Sequence, residues 1–162
     1  MKTDLLHYKR VLIVDDEPDV LETLEALLSM CDVVKASSFE EAKGVLETQY
    51  FDIAILDIMG VDGYKLLEIA DRRKVIPVML TAHALSPQDT VKSYKGGAAS
   101  YVPKEKMSEI TTYLNDILEA HEQGKSPWWR WLERFANYYD NKFGPDWKKA
   151  DKEVWEKFHF WE

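Results

Sequence analysis

Five short apolar runs alternate with longer amphipathic stretches over residues 10–123, and this alternation constrains the fold more than any other feature of the sequence. The runs lie at residues 11–14, 33–36, 53–56, 77–80 and 100–102. Short strands that are apolar along their whole length are typical of parallel sheets covered by helices on both faces. The intervening stretches have helical length and spacing. We therefore expect an α/β fold with an open, five-stranded parallel sheet.

The predicted helices carry their own start signals. Pro18 suits the first turn of the first helix. Ser38 and Glu41 form a capping box at the second helix, and Ser86 is a cap for the fourth. The fifth helix is expected over about residues 107–122 because its apolar residues recur at helical spacing.

The composition changes abruptly after Gly124. All six tryptophans lie beyond it, at positions 128, 129, 131, 147, 155 and 161. Gly144-Pro145 divides this segment into two predicted helices, roughly residues 127–142 and 146–160. We expect a first domain over residues 1–124 and a tryptophan-rich helical extension over residues 125–162. The aromatic stripes of the extension must be buried, either against the first domain or against a partner.

Charge and hydropathy limit the classes of function. The net charge is −8; residues 1–124 hold 13 basic and 22 acidic residues, and residues 125–162 hold 8 and 7. Neither part has the basic surface that nucleic-acid backbones require, so we expect no direct nucleic-acid binding. No apolar run is long enough for a bilayer and no secretory signal pattern begins the sequence. We expect a cytoplasmic protein with no membrane partner.

Polar residues follow four of the predicted strands: Asp15 and Asp16 the first, Asp57 the third, Thr81 the fourth and Lys104 the fifth. In an open parallel sheet these strand ends line a ligand-binding crevice. If the first and third strands are neighbours, three carboxylates meet there. Like charges about 5 Å apart repel by roughly 3 kcal/mol at an effective dielectric of 20. The cluster therefore predicts a cation, and oxygen ligands without Cys or His favour Mg²⁺.

The same groups suit phosphoryl transfer to a carboxylate. Asp57 could attack phosphorus in line, Lys104 would contact the phosphoryl group and Thr81 would donate its hydroxyl hydrogen. An acyl phosphate forms from an activated donor, so positioning and charge suffice and no separate general base is needed. We expect a phosphoacceptor and not an enzyme.

Four segments, VLIVDDEPDV, DIAILDIM, VIPVMLTA and GGAASYV, are followed by Lys104 and together resemble the response-regulator receiver family in order and spacing. The resemblance covers nearly all of residues 10–123. It implies a doubly wound, flavodoxin-like sheet with strand order 2-1-3-4-5. It also implies a two-component phosphorelay response regulator, which accepts a phosphoryl group on Asp57 from a histidine kinase or histidine phosphotransfer protein and acts on an unknown output protein.

The resemblance assigns Mg²⁺ ligation to four groups, namely Asp15 acting largely through water, Asp16, Asp57 and the backbone carbonyl of Met59. Thr81 and Tyr101 resemble the family's switch pair, in which the hydroxyl moves toward the phosphoryl group and the aromatic ring turns inward. Met59 and His83 occupy positions that flank the path of the hydrolytic water in this family. The alternatives are that Asp15 and Asp16 merely cap the first helix, that Tyr101 is ordinary packing and that His83 is an exposed loop residue.

Two features depart from the family pattern. The stretch IMGV before Asp62-Gly63 is shorter than the family's usual loop and lacks its proline, which predicts an earlier start of the third helix. In addition, Pro103 precedes Lys104 and Glu105 follows it, whereas the family's lysine usually precedes a proline. The approach of Lys104 to the site is therefore not implied by the resemblance.

Three functions remain in competition. The leading one is a phosphorylated regulator that signals by protein contact without a DNA-binding domain. The second is a phosphorylation-independent scaffold that uses the aromatic extension for assembly. The third, an aspartate-nucleophile phosphohydrolase, lacks the acid or base that it would need beside Asp57. A homodimer through the fourth/fifth helix face or the extension also fits the aromatic stripes.

Overall fold

A computed structural model describes residues 4–82 and 86–158, and its five strands confirm the predicted runs. The strands are β1 Arg10–Val14, β2 Asp32–Ala36, β3 Ile53–Asp57, β4 Ile76–Thr81 and β5 Ser100–Pro103. The helices are α1 Pro18–Leu27, α2 Phe39–Thr48, α3 Gly63–Arg72, α4 Pro87–Lys95, α5 Ile110–Glu122, α6 Trp128–Phe143 and α7 Lys152–Lys157. Residues Lys104–Glu109 form a 3₁₀ helix before α5, so the fifth α-helix begins later than predicted.

The sheet is parallel throughout, with strand order β2-β1-β3-β4-β5 and helices on both faces, as expected for a flavodoxin-like fold. β3 is buried along its whole length because it lies at the centre of the sheet. The strand order reverses between β1 and β3, and Val14 pairs with Leu56 in that register. The next residue of each strand is an aspartate, so the register alone brings Asp15 and Asp57 side by side.

Local side-chain caps fix where two helices begin. The Ser38 hydroxyl accepts a hydrogen bond from the backbone N–H of Glu41 at 3.2 Å. The Ser86 hydroxyl likewise accepts from the backbone N–H of Asp89 at 3.0 Å. Both caps satisfy an N–H that the first turn of a helix leaves without a partner. Within the described ranges, no helix combines the length and apolar character needed to cross a membrane.

The extension packs against the first domain on the face formed by α4, β5 and α5. The Trp128 indole N–H donates to the backbone carbonyl of Ala98 at 2.9 Å, and the Trp131 indole N–H donates to that of Tyr101 at 2.9 Å. On the α5 side, Arg134 pairs with the nearly buried carboxylate of Asp116. The aromatic stripe of α6 is therefore buried within its own chain.

The second helix of the extension is much shorter than predicted. The pattern indicated residues 146–160, but α7 spans only Lys152–Lys157, and residues 159–160 lie outside the described residues. Asp151 adopts a left-handed backbone conformation with φ 57°, which interrupts a continuous helix. Trp147 is buried all the same, in the turn before α7, because its indole contacts Tyr139 and Trp155.

The Asp116–Arg134 pair provides a test of this docking. We expect Arg134→Met to lower the free energy of unfolding by about 1–3 kcal/mol, since the Asp116 carboxylate loses its nearer partner. Lys149→Met removes an exposed ion pair with Asp146 and should change stability by less than about 0.5 kcal/mol. Urea unfolding measures both variants, and equal effects would contradict docking through Asp116.

Candidate functional site

Two buried carboxylates form the centre of the site. Asp15 follows β1 and is fully buried, and Asp57 ends β3 with 5% of its side chain exposed. One oxygen of Asp15, Oδ1, accepts a hydrogen bond from the backbone N–H of Glu17 at 2.9 Å. The other, Oδ2, is buried and faces the Lys104 ammonium group, whose Nζ lies 3.0 Å away. Both oxygens of Asp15 are therefore held in place by contacts within the chain.

Lys104 reaches these carboxylates despite its unusual neighbours. Its Nζ lies 3.0 Å from Asp15 Oδ2, 3.4 Å from Asp57 Oδ1 and 3.4 Å from Glu17 Oε1. The 3₁₀ helix begins at Lys104 directly after β5, and no peptide bond among the described residues is cis. Lys104 therefore reaches the two carboxylates from a strand end with Pro103 in front of it.

The charges of the site are only partly balanced. The pKa of Asp57 is raised to about 7, first by burial and then by the charge of Asp15, while Lys104 opposes the rise. Burial also raises the pKa of Asp15. Burial by itself lowers the pKa of Lys104, but its contacts with Asp15, Asp57 and Glu17 outweigh this effect and the net shift is upward. One ammonium group thus compensates a cluster that has more negative than positive groups.

The donor set and the space around it fit Mg²⁺. Asp15, Asp16 and Glu17 each offer one carboxylate oxygen, and these three atoms lie within 4.8 Å of one another. A cavity of about 120 Å³ adjoins them and is lined by Asp16, Glu17, Asp57, Met59, Gly60, Ala82 and Lys104. Hard oxygen ligands beside room for water are what Mg²⁺ requires. Glu17 was not among the predicted ligands, although the run of three consecutive acids could have indicated it.

The predicted switch pair lies behind this cluster. Thr81 ends β4 and is 1% exposed, and the Tyr101 ring in β5 is fully buried. Burial raises the pKa of Tyr101 well above its usual range, while hydrogen bonds with the Ser86 backbone and the Thr81 side chain oppose the rise. Tyr101 is thus packed inside the protein and linked to Thr81. Of the two predicted water-path residues, Met59 borders the cavity with an exposed side chain and His83 lies outside the described residues.

Two glycines make the short loop after Asp57 possible, and neither was among the predicted site residues. Gly60 has φ 76°, and a Cβ there would stand 2.6 Å from Asp16 Oδ2. At Gly63, where α3 begins, a Cβ would stand 2.3 Å from the backbone oxygen of Asp57. The loop therefore folds tightly against both aspartates, which only residues without a side chain allow. The presence of glycines in a shortened loop could have indicated this close approach to the aspartates.

Comparison with known proteins identifies the family. The family described as "Response regulator receiver domain" matches residues 11–115, so the chain belongs to the response regulator receiver domain family of two-component systems. Receiver domains are phosphoacceptors that bind Mg²⁺ at an acidic pocket. Response regulators interact with histidine kinases or phosphotransfer proteins.

Individual relatives agree with this assignment. The chain is 40% identical over 117 residues to "Heme response regulator HssR" of Staphylococcus saprophyticus, covering 68% of this chain and 51% of that protein. A putative response regulator from Chloroflexus aurantiacus is 29% identical with TM-score 0.61, covering 69% of this chain and 98% of that one. A CheY-like receiver domain protein from Methanospirillum hungatei is 27% identical with TM-score 0.58, covering 69% and 98%. The chain spans about half the length of the first curated relatives that it matches.

The contact between Gly60 and Asp16 can be tested. In Gly60→Ala the new Cβ would displace the Asp16 carboxylate, so we expect Mg²⁺ to stabilise this variant less than the unchanged protein. Gly124→Ala is the matched control, because Gly124 also has positive φ, at 66°, but open space around it. It should lose about 1 kcal/mol of stability through backbone strain and keep the whole Mg²⁺ effect. Urea unfolding with and without Mg²⁺ gives both quantities, and equal Mg²⁺ effects in both variants would contradict a role of the Gly60–Asp16 contact in metal binding.

Proposed function

We propose that this chain accepts a phosphoryl group on Asp57 in a Mg²⁺-dependent reaction and signals through contacts with other proteins. One observation carries the proposal: a buried Asp57 carboxylate borders a small cavity, with the Lys104 ammonium group 3.4 Å from Oδ1. A nucleophile at the wall of a polar cavity, beside a fixed cation, is the arrangement that phosphoryl transfer to a carboxylate needs.

Each group has a definite role in this proposal. An Asp57 oxygen attacks the phosphorus in line, the new O–P bond forms, and the bond to the donor's leaving group breaks with its electron pair. Lys104 remains between Asp15 and the transferred group and offsets the charge on the phosphoryl oxygens. The Thr81 hydroxyl donates to one of these oxygens. Thr81 and Tyr101 resemble the family's switch pair, and the buried position of Tyr101 is consistent with that role.

The metal site is proposed to include Asp15, Asp16, Asp57 and the backbone carbonyl of Met59. Bound Mg²⁺ would supply positive charge to the equatorial oxygens of the phosphoryl group. The chain's own contribution is to hold the ligands in place: Glu17 N–H fixes one oxygen of Asp15, and Gly60 packs against Asp16. Asp15 is not among the residues that line the cavity, which is consistent with a role through a metal-bound water.

The direct partners we propose are a histidine kinase or a histidine phosphotransfer protein on the donor side and an output protein on the other. Phosphorylation changes the charge of the site by about two units, which is enough to shift the loops around it. We place this exchange in the cytoplasm and assign it to residues 1–124, with residues 125–162 as the extension. The balanced charge of the extension, 8 basic and 7 acidic residues, favours protein over nucleic acid as the target.

A phosphorylation-independent scaffold is the second candidate. The observation in its favour is the aromatic cluster of the extension, in which Trp131 contacts Phe135, Tyr139 and Trp155. Because these rings are buried within the chain, assembly through the cluster would require the extension to leave the first domain, which needs no chemistry at Asp57. The two candidates differ in what they require of Asp57, so one assay separates them.

The test is incubation with Mg²⁺ and a small acyl phosphate, followed by intact-protein mass measurement. We expect the mass of one added phosphoryl group, labile to alkali, and no adduct in Asp57→Asn. Asp19→Asn, which changes an exposed aspartate on α1, should be modified as well as the unchanged protein. Absence of the adduct would favour the scaffold, and rapid turnover of unrelated phosphomonoesters would favour a phosphohydrolase.

Met59 should control how long the phosphoryl group stays on Asp57. Its side chain is 57% exposed and lines the cavity, where an apolar group offers no hydrogen bond to an attacking water. Met59→Asn places an amide there, so we expect a shorter acyl-phosphate lifetime after the donor is removed. Met59→Leu keeps the apolar character and should preserve the lifetime. An unchanged lifetime in Met59→Asn would end this hypothesis.

A further inference from the structure

We propose that Trp131 and Tyr139 of α6 are positioning residues for phosphoryl transfer, because they hold β5 and α4 so that the Tyr101 ring stays buried behind Thr81. This inference rests on the proposed phosphorylation of Asp57. It gives the extension a role in the reaction although none of its described residues lines the cavity at Asp57.

We call the hydrogen bonds that Trp131 and Tyr139 make to the first domain the two holds, and the first of them is to β5. Trp131, itself almost completely buried, donates its indole hydrogen to the backbone carbonyl of Tyr101 at 2.9 Å. β5 is the edge strand of the sheet and pairs with β4 on one side, so α6 can contact its other side. A buried indole N–H without its acceptor would be costly. The strand segment that carries Tyr101, and three residues later Lys104, is thereby tied to α6.

The second hold is on the start of α4. The Tyr139 hydroxyl is buried and lies 2.6 Å from the Thr90 hydroxyl. The Thr90 hydroxyl also donates to the backbone carbonyl of Ser86, at 2.8 Å, in the cap of α4. Since the one hydroxyl hydrogen of Thr90 goes to Ser86, the Tyr139 hydroxyl donates to the Thr90 oxygen and so ties α6 to the first turn of α4. The rings of Trp131 and Tyr139 are in contact, with centroids 5.1 Å apart, so the two holds move together.

The two holds affect the phosphorylation site through the space behind Thr81. Thr81 pairs with Pro103 across β4 and β5, and Met79 pairs with Tyr101 in the same register. With the Tyr101 ring fixed inside, that space is filled and the Thr81 hydroxyl is kept where it can meet a phosphoryl oxygen. Release of β5 and α4 from α6 would let the ring leave and Thr81 retreat. Docking of the extension therefore favours the loaded site, in which Asp57 carries a phosphoryl group or its analogue. By thermodynamic reciprocity, loading favours docking of the extension.

The docked extension also affects the predicted homodimer. The face formed by α4, β5 and α5 is occupied by α6, through Ala98, Tyr101, Thr90 and Asp116. A second copy could use that face only by displacing the extension. Because loading favours docking in this proposal, phosphorylation would disfavour such a dimer.

The test compares three variants that each lose one buried hydrogen bond. Trp131→Phe and Tyr139→Phe remove the two holds. Trp155→Phe is the matched control, because its indole N–H donates to the backbone carbonyl of Ala150, inside the extension, at 3.2 Å. Beryllofluoride with Mg²⁺ serves as the phosphoryl analogue, and ¹⁹F NMR measures its occupancy independently of tryptophan. Urea unfolding of each variant verifies that it is folded.

We expect Trp131→Phe and Tyr139→Phe to weaken beryllofluoride binding by about 3- to 10-fold, the effect of one lost hydrogen bond. Trp155→Phe should weaken binding by less than about 2-fold even if it loses as much stability, because it keeps an aromatic ring against Trp131 and loses only the bond to Ala150. Restoration of a donor in Trp131→His should recover part of the affinity. Unchanged binding in the first two variants, or an equal loss in Trp155→Phe, would overturn the positioning role.

Tryptophan emission gives a second readout. Since every tryptophan lies in the extension, a change in emission on loading reports the extension directly. The unchanged protein should load and change its emission, whereas Asp57→Asn should do neither. Loading with silent emission would overturn the coupling but leave the proposed function intact. Failure of the unchanged protein to load in Mg²⁺ would overturn the proposed function itself.

Discussion

The ion pairing of Lys104 with Asp15 and Asp57 is the interaction on which the site depends. The sheet register brings two buried aspartates together at the ends of β1 and β3, and a single ammonium group lies within 3.4 Å of both. Without that cation the two carboxylates would be buried with no opposite charge, which costs several kcal/mol. The pairing also leaves the cluster short of positive charge, because Asp16 and Glu17 lie beside it. A site of this kind is stable enough to fold and is still receptive to a divalent cation.

Much of this arrangement could be predicted from the sequence for physical reasons. A buried parallel strand must be apolar along its length, so β3 and its neighbours stand out from the amphipathic helices between them. Residues that follow such strands meet at one edge of the sheet, which is why Asp15, Asp57 and Thr81 were predicted to lie together. The helix starts at Ser38 and Ser86 were also predictable, since a cap depends on residues only three apart.

Other features depend on contacts that sequence patterns do not encode. The aromatic stripes of the extension indicated that one face must be buried. They did not indicate that the Trp131 indole N–H would donate to the Tyr101 carbonyl, 30 residues away. The reach of Lys104 depends on the 3₁₀ turn after β5, and the length of α7 on a left-handed residue at Asp151. The fit of Gly60 against Asp16 follows from a loop conformation, not from the composition of the loop.

The hydrogen bond from the Trp131 indole to the Tyr101 carbonyl has a consequence for association between molecules. An exposed edge strand offers its backbone groups to any other chain, and natural sheets protect such edges by charge or by cover. At the β2 edge, Asp32 and Lys35 provide charged side chains, with ion pairs to Arg10 and Glu25. At the β5 edge the protection comes from α6. Loss of the extension would therefore uncover a strand able to pair with a neighbouring chain, so the tryptophan-rich segment also guards the sheet against aggregation.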